Sequence, residues 1–334
     1  MALINDKKSA VKKLKLLVYN GKGEVEGFRQ KMEDAYKVTF LPNNVECSKY
    51  KYGDVPCDVL APEIYSSNRV MLYIHGGSFV GGSANVYRSF CASLASKCFC
   101  RLVLPEYRLA PAHPYPAANE DIQNVFKSLF TEEQIACSLN AEKGAKPALP
   151  EIIIAADSSG AAIAFSLIFN LRERYRNCIK SVILFSPWMD ISPQSRILSA
   201  KKMSDDVLTS EIIRKCSLIY TYESNTTNPL VSPLLAEEAM LKNFPRILIQ
   251  MGQKEILLED AKSFARRMNE MGNVCLLDVW DDMPFMFQMA HEYFHSSHLA
   301  LDRIGIFVTE NFAGEEAIQI ENKPKLEHSL RSEA

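Results

Sequence analysis

The chain reads as an α/β protein built on a mostly parallel sheet, and three observations carry that reading. Apolar, β-branched segments alternate with segments of helical periodicity from Val45 onward. Several of the strand candidates are near-continuous apolar runs, as expected of parallel strands covered on both faces. Ile152-Ile153-Ile154-Ala155-Ala156 then leads through Asp157-Ser158-Ser159-Gly160 into an apolar helical stretch, a strand, a sharp turn and a helix in direct succession.

Taken in order, residues 7–15 form a basic segment. A helix follows it, with Val25, Phe28, Met32, Ala35 and Tyr36 on one face, which packing on the main body would cover. The expected strands are Val45–Tyr50, Pro56–Ala61, Val70–Ile74, Arg101–Leu104, Glu151–Ala155, Ser181–Phe185, Arg246–Met251 and Val274–Trp280. The expected helices are Val86–Lys97, Ala117–Phe130, Gly160–Tyr175, Leu258–Met271 and His298–Thr309. Residues 190–230 interrupt the alternation as a long insertion with helical stretches and no strand. Insertions at the carboxyl end of a parallel sheet often cover a ligand site. The tail after Phe312 is polar and charged and is expected to fray. There is no internal repeat.

Composition narrows the function classes. A chain of 334 residues can bury a large core, with 47% hydrophobic and 23% charged residues. A net charge of -2 gives no electrostatic reason to expect nucleic acid as a partner. The N-terminus has no apolar h-region, and no run approaches the roughly 20 apolar residues that span a bilayer. The nine cysteines are scattered, with no C-x-x-C pair, and read as reduced thiols in a cytoplasmic protein. No His or Cys cluster has metal spacing, so neither a metal nor another cofactor is expected.

The chemistry centres on Ser158. A serine at the tip of a strand–helix elbow is exposed by the strained turn, and the helix N-terminus behind it favours developing negative charge. Upstream, between a strand and a helix, lies His75-Gly76-Gly77-Ser78-Phe79-Val80-Gly81-Gly82. Consecutive glycines let bare backbone N–H groups approach a ligand. The N–H groups of Gly76, Gly77 and Ser159 form a candidate oxyanion hole, each donor contributing about 3–4 kcal/mol in a transition state. An ordinary Gly-rich turn is the bland reading; the order of loop and elbow favours the chemical one.

With these motifs in place, the chain resembles the hormone-sensitive-lipase branch of the α/β-hydrolases, which includes many bacterial carboxylesterases. That branch carries H-G-G-G/S after its third strand. It carries Y-R-L-A-P, present as Tyr107-Arg108-Leu109-Ala110-Pro111, and G-D-S-A-G, present as Ala156-Asp157-Ser158-Ser159-Gly160. Ser186-Pro187-Trp188-Met189-Asp190 and Ser232-Pro233-Leu234 also fit. The resemblance covers residues 45–312. It implies an eight-stranded α/β-hydrolase core and a helical cap built from residues 1–44 and 190–230. It also implies a small acyl-ester or apolar ligand, and it leaves the oligomeric state open. The first glycine of the elbow is alanine here, a single added methyl.

The resemblance places the acid of the triad at Glu255, three residues past Gly252; Glu259 and Asp260 read instead as first-turn acids of the next helix. The base is where the chain departs. The family reads D-M-P-H-x-F, and this chain reads Asp282-Met283-Pro284-Phe285-Met286-Phe287, with Phe285 at the histidine position. Phenylalanine takes no proton from a serine. Of the six histidines, His291 and His295 follow closest and are the alternative bases; a surface or helix-end role is the bland reading for both. Met283, Met286, Met289 and Phe287 beside them suit an acyl pocket or plain core packing. Two functions follow. One is a serine carboxylic-ester hydrolase of low or atypical activity. The other is a catalytically dead relative that binds a small molecule, as the plant gibberellin receptor does.

Overall fold

The computed structural model describes residues 6–37, 41–42, 44–66, 68–141, 147–199 and 205–309. The expected tail after Phe312 lies outside them. Eight strands form one sheet: β1 (Val45–Tyr52), β2 (Val55–Pro62), β3 (Arg69–Ile74), β4 (Arg101–Pro105), β5 (Glu151–Asp157), β6 (Ile179–Phe185), β7 (Arg246–Gly252) and β8 (Cys275–Trp280). Their order is β1-β2-β4-β3-β5-β6-β7-β8. The β1–β2 and β2–β4 pairs are antiparallel and every other pair is parallel. All eight expected strands are present, with ends moved by one or two residues. The five central strands β3, β4, β5, β6 and β7 are buried almost throughout, whereas β1 at the edge is mostly exposed between its two buried ends. That contrast is why β1 reads as polar and β5 as an unbroken apolar run.

The helices are α1 (Lys7–Leu14), α2 (Val25–Tyr36), α3 (Ala84–Cys98), α4 (Ala117–Leu139), α5 (Gly160–Asn170), α6 (Glu173–Arg176), α7 (Arg196–Ser199), α8 (Ser210–Tyr220), α9 (Glu238–Leu241), α10 (Leu258–Glu270) and α11 (His295–Thr309). The basic N-terminal segment is helical because Asp6 caps it, accepting from the N–H groups of Lys8 and Ser9. Two expected helices differ. The helix starting at Gly160 stops at Asn170, whose side-chain amide donates to Ser166 O while Leu171 turns extended; a separate turn, α6, follows. The helix starting at Ala117 runs on to Leu139. Its continuation looks polar, but Glu133 is buried, held by both carboxylate oxygens on Arg101 at 2.8 and 2.7 Å.

Helix α2, Tyr19 before it and the 190–230 insertion meet on the loop after β3. On α2, Met32 and Tyr36 are buried, and Phe28 reaches Gly81. Arg29 donates to Val80 O (2.8 Å) and Ala110 O (3.1 Å). Tyr19 N–H donates to Ser78 Oγ at 3.1 Å, and Tyr220 at the end of α8 stacks on Phe79 with ring centroids 3.8 Å apart. All nine cysteines are free thiols, seven of them buried. No helix among the described residues is long and apolar enough to cross a membrane.

Candidate active site

Ser158 sits between β5 and α5 with φ +48°, the left-handed conformation that a sharp strand-to-helix turn imposes. Its backbone is gripped from the neighbouring strand end: Ser158 N–H donates to Phe185 O and Trp188 N–H donates to Ser158 O, both at 2.9 Å. The turn can close because residue 160 has no side chain. A Cβ there would lie 2.2 Å from Ile74 O and 2.4 Å from His75 O. Ala156, by contrast, fits fully buried in β5, paired with Ile74 and Leu184. Ser158 is 3% exposed, and its Oγ hydrogen-bonds to no described residue.

The glycine loop is braced from below by Asp157. This carboxylate accepts from Tyr73 OH (2.9 Å), Tyr87 OH (3.0 Å) and Gly76 N–H (2.8 Å). The N–H of Gly76, expected among the oxyanion donors, is therefore already engaged. The N–H groups of Gly77 and Ser159 donate to no described residue. Gly77 adopts φ +107°, and a Cβ there would lie 2.3 Å from Gly81 O. His75 is part of the brace. Its ring stacks on Tyr107 and Tyr87, Nδ1 lies 2.8 Å from Gly76 O, and burial pushes its pKa down to about 4.

Burial pushes the Asp157 carboxyl up to about 7, against the hydrogen bonds from Tyr73, Gly76 and Tyr87 that favour its charged form. The folded protein thus holds this proton more tightly than the unfolded chain. Its contribution to stability is full below the ordinary carboxyl pKa of 3.8 and is lost as pH rises through 7. Asp157→Asn is expected to flatten that loss. Denaturant titrations at pH 5 and pH 8 should show the variant gaining on the natural protein at the higher pH; equal differences at both would contradict it.

Glu255 lies in the turn after β7, 3% exposed. Its Oε1 accepts from Gly252 N–H (2.5 Å) and Ser186 Oγ (2.9 Å), while Oε2 hydrogen-bonds to no described residue. Burial holds its carboxyl well above the ordinary range. The loop of Phe285 packs directly on this turn. A Cβ on Gly252 would lie 2.0 Å from Met283 O and 3.0 Å from Pro284 O, and Met286 N–H donates to Ser186 Oγ at 3.1 Å. Phe285 itself is 1% exposed.

The structure thus gathers Ser158, Gly77, Ser159, Glu255 and Phe285 at the carboxyl ends of β3, β5 and β7 and the loop after β8. Neither alternative base hydrogen-bonds to Ser158 Oγ. His291 follows a short 3-10 turn (Phe287–Ala290), and its ring lies against His298, 5.9 Å between centroids. Burial depresses its pKa, with Glu292, Lys13 and His298 as its charged neighbours. His295 is exposed at the first position of α11. Because Ser158 Oγ and Glu255 Oε2 have no partners, no described histidine nitrogen bonds either. Met286, Phe287 and Met289 are buried in the core cluster, with Met283 partly buried against it. A cleft of about 410 Å³ opens between α2 and the Tyr107–His113 segment, but Ser158 does not line it. Two parts of the site were not singled out from sequence: the tyrosine brace on Asp157, and Ser186. Ser186 stood in a quoted motif, yet nothing in the residue string links it to Glu255.

Compared with known proteins, the chain matches the family profile described as the alpha/beta hydrolase fold over residues 71–289. The chain belongs to that family. Within this hydrolase family it is 32% identical over 245 residues to an esterase of Acinetobacter venetianus, covering 73% of this chain and 76% of that one. It is 25% identical over 240 residues to an acetyl-hydrolase of Streptomyces hygroscopicus, covering 72% and 75%. A crystal structure of an esterase from the bacterial hormone-sensitive lipase family superposes with a TM-score of 0.78 at 25% identity, covering 92% of this chain and 98% of that one. The hydrolase resembles these proteins in the arrangement of its sheet, and it falls in the hormone-sensitive-lipase-like branch of the family.

Proposed function

We propose that this hydrolase-family chain carries a serine carboxylesterase site for short acyl esters that turns over slowly because it lacks a general base. One observation carries the reading: Ser158 Oγ and Glu255 Oε2 are both buried and unpartnered, with the loop of Phe285 packed beside the acid. The named esterase and acetyl-hydrolase relatives support the reaction class. In this reading Ser158 Oγ attacks the acyl carbonyl, and the N–H groups of Gly77 and Ser159 receive the oxyanion, aided by the N-terminus of the eleven-residue α5. Glu255 is the acid of the ancestral triad, left with no imidazole to orient. The helices α2 and α8, meeting on the glycine loop, act as a cap that keeps Ser158 from solvent.

Hydrolysis of p-nitrophenyl butyrate tests this. The natural protein is expected to exceed the uncatalysed rate by about 10³–10⁴-fold, since donors and binding without a working triad retain that part of the catalysis. Turnover at the ordinary esterase rate, about 10 s⁻¹ and lost in Ser158→Ala, would overturn it. No hydrolysis above the uncatalysed rate, with the ester still bound, would favour a small-molecule binding protein on the same scaffold.

A further inference from the structure

The segment 185–188 touches all three places where this family keeps its triad. Phe185 O and Trp188 N–H hold the two backbone ends of Ser158. Between them Ser186, fully buried with φ +44°, turns its hydroxyl toward the other two loops. Its Oγ donates to Glu255 Oε1 at 2.9 Å and accepts from Met286 N–H at 3.1 Å, while its own N–H donates to Gln250 O at 3.1 Å. One hydroxyl thus spans the acid and the residue that follows Phe285, using its donor on one and a lone pair on the other. Because Ser186 and Gly252 both occupy Oε1, Oε2 is the carboxylate oxygen left for a partner. Two donors on one oxygen restrict the tilt of the carboxylate, which orients the free oxygen.

We propose that Ser186 is a positioning residue: its hydroxyl locks the Glu255 turn to the loop of residue 285 and fixes the direction of the free carboxylate oxygen. The proposal rests on Glu255 being the acid of the site, as in the reading above. It needs no turnover by the natural protein.

The test uses Phe285→His in the full chain, alone and combined with Ser186→Gly or Ser186→Cys. Glycine accepts the positive φ and removes the hydroxyl; cysteine keeps the shape with a weaker donor. Proton and nitrogen NMR follow the introduced imidazole. With Ser186 present, a downfield Nδ1–H resonance is expected, with titration above the ordinary 6.5, because a carboxylate partner favours the charged ring. Ser186→Gly should abolish that resonance and bring the titration back toward 6.5 in a protein whose melting remains cooperative; Ser186→Cys should fall between. The same resonance and titration without the hydroxyl would overturn the proposal. So would their absence with Ser186 in place, for the acid would then not face residue 285. Neither result bears on the slow-turnover reading, which the natural protein's own ester assay decides.

Discussion

Replacing Phe285 with histidine is expected to raise the hydrolysis of p-nitrophenyl butyrate by at least about a thousandfold, with a ceiling near a millionfold. The ceiling is what removal of the histidine costs a serine hydrolase in kcat, on the order of 8 kcal/mol of barrier. The other parts are in place: a serine in a strained elbow, two N–H groups without acceptors, and a buried carboxylate with one oxygen free. An imidazole is smaller than a phenyl ring, so the substitution leaves a small void rather than an overlap. Its Nδ1–H would find Glu255 Oε2, and its Nε2 would take the proton of Ser158. The gain should vanish in Phe285→His/Ser158→Ala and shrink in Phe285→His/Glu255→Gln. It should rise with pH through the range where the introduced imidazole loses its proton, above the ordinary 6.5 because Glu255 favours the charged ring. A folded Phe285→His protein with unchanged activity would mean that residue 285 and Ser158 are not aligned.

A large stability effect is expected at Gly160. Its missing side chain faces two backbone carbonyls, Ile74 O and His75 O, at 2.2 and 2.4 Å from where a Cβ would be. Neither oxygen can swing aside like the end of a flexible side chain, because Ile74 ends β3 and His75 is wedged between two tyrosine rings. Gly160→Ala is expected to cost about 3 kcal/mol, the upper end for inserting one methyl into a packed interior. It should also part the glycine loop from the elbow. Gly27 is the control. It lies in α2 with nothing within 4 Å of its absent Cβ, so Gly27→Ala should stabilise by about 0.5–1 kcal/mol through helix propensity alone. Denaturant melts of the two variants check both values; equal and opposite small shifts would refute the assignment of Gly160 as the closing residue.

The fold was legible because burial on both faces of a parallel sheet writes itself directly into composition. β3, β5, β6 and β7 are mostly apolar, with their charged residues at or near the strand ends. Helix ends were less legible. Glu133 looked like a solvent residue until Arg101 was seen to hold it. The stop at Asn170 depends on a side-chain bond to Ser166 that a longer helix would also permit in sequence. The serine elbow and the glycine loop were readable as local motifs, since each does its work within a few consecutive residues. Glu255 and Phe285 were placed by resemblance.

Sequence by itself determined the α/β class, the elbow at Ser158, the glycine loop and the phenylalanine at position 285, because backbone conformation and burial depend on near neighbours in the chain. The tertiary structure alone decided which donors and acceptors are occupied. It gave Gly76 N–H to Asp157, left Ser158 Oγ without a histidine partner, and made Ser186 the joint between Glu255 and Met286. Those pairings join residues tens to about a hundred positions apart. A hydrogen bond requires atoms within about 3 Å in a definite direction, which no order of residues along the chain specifies.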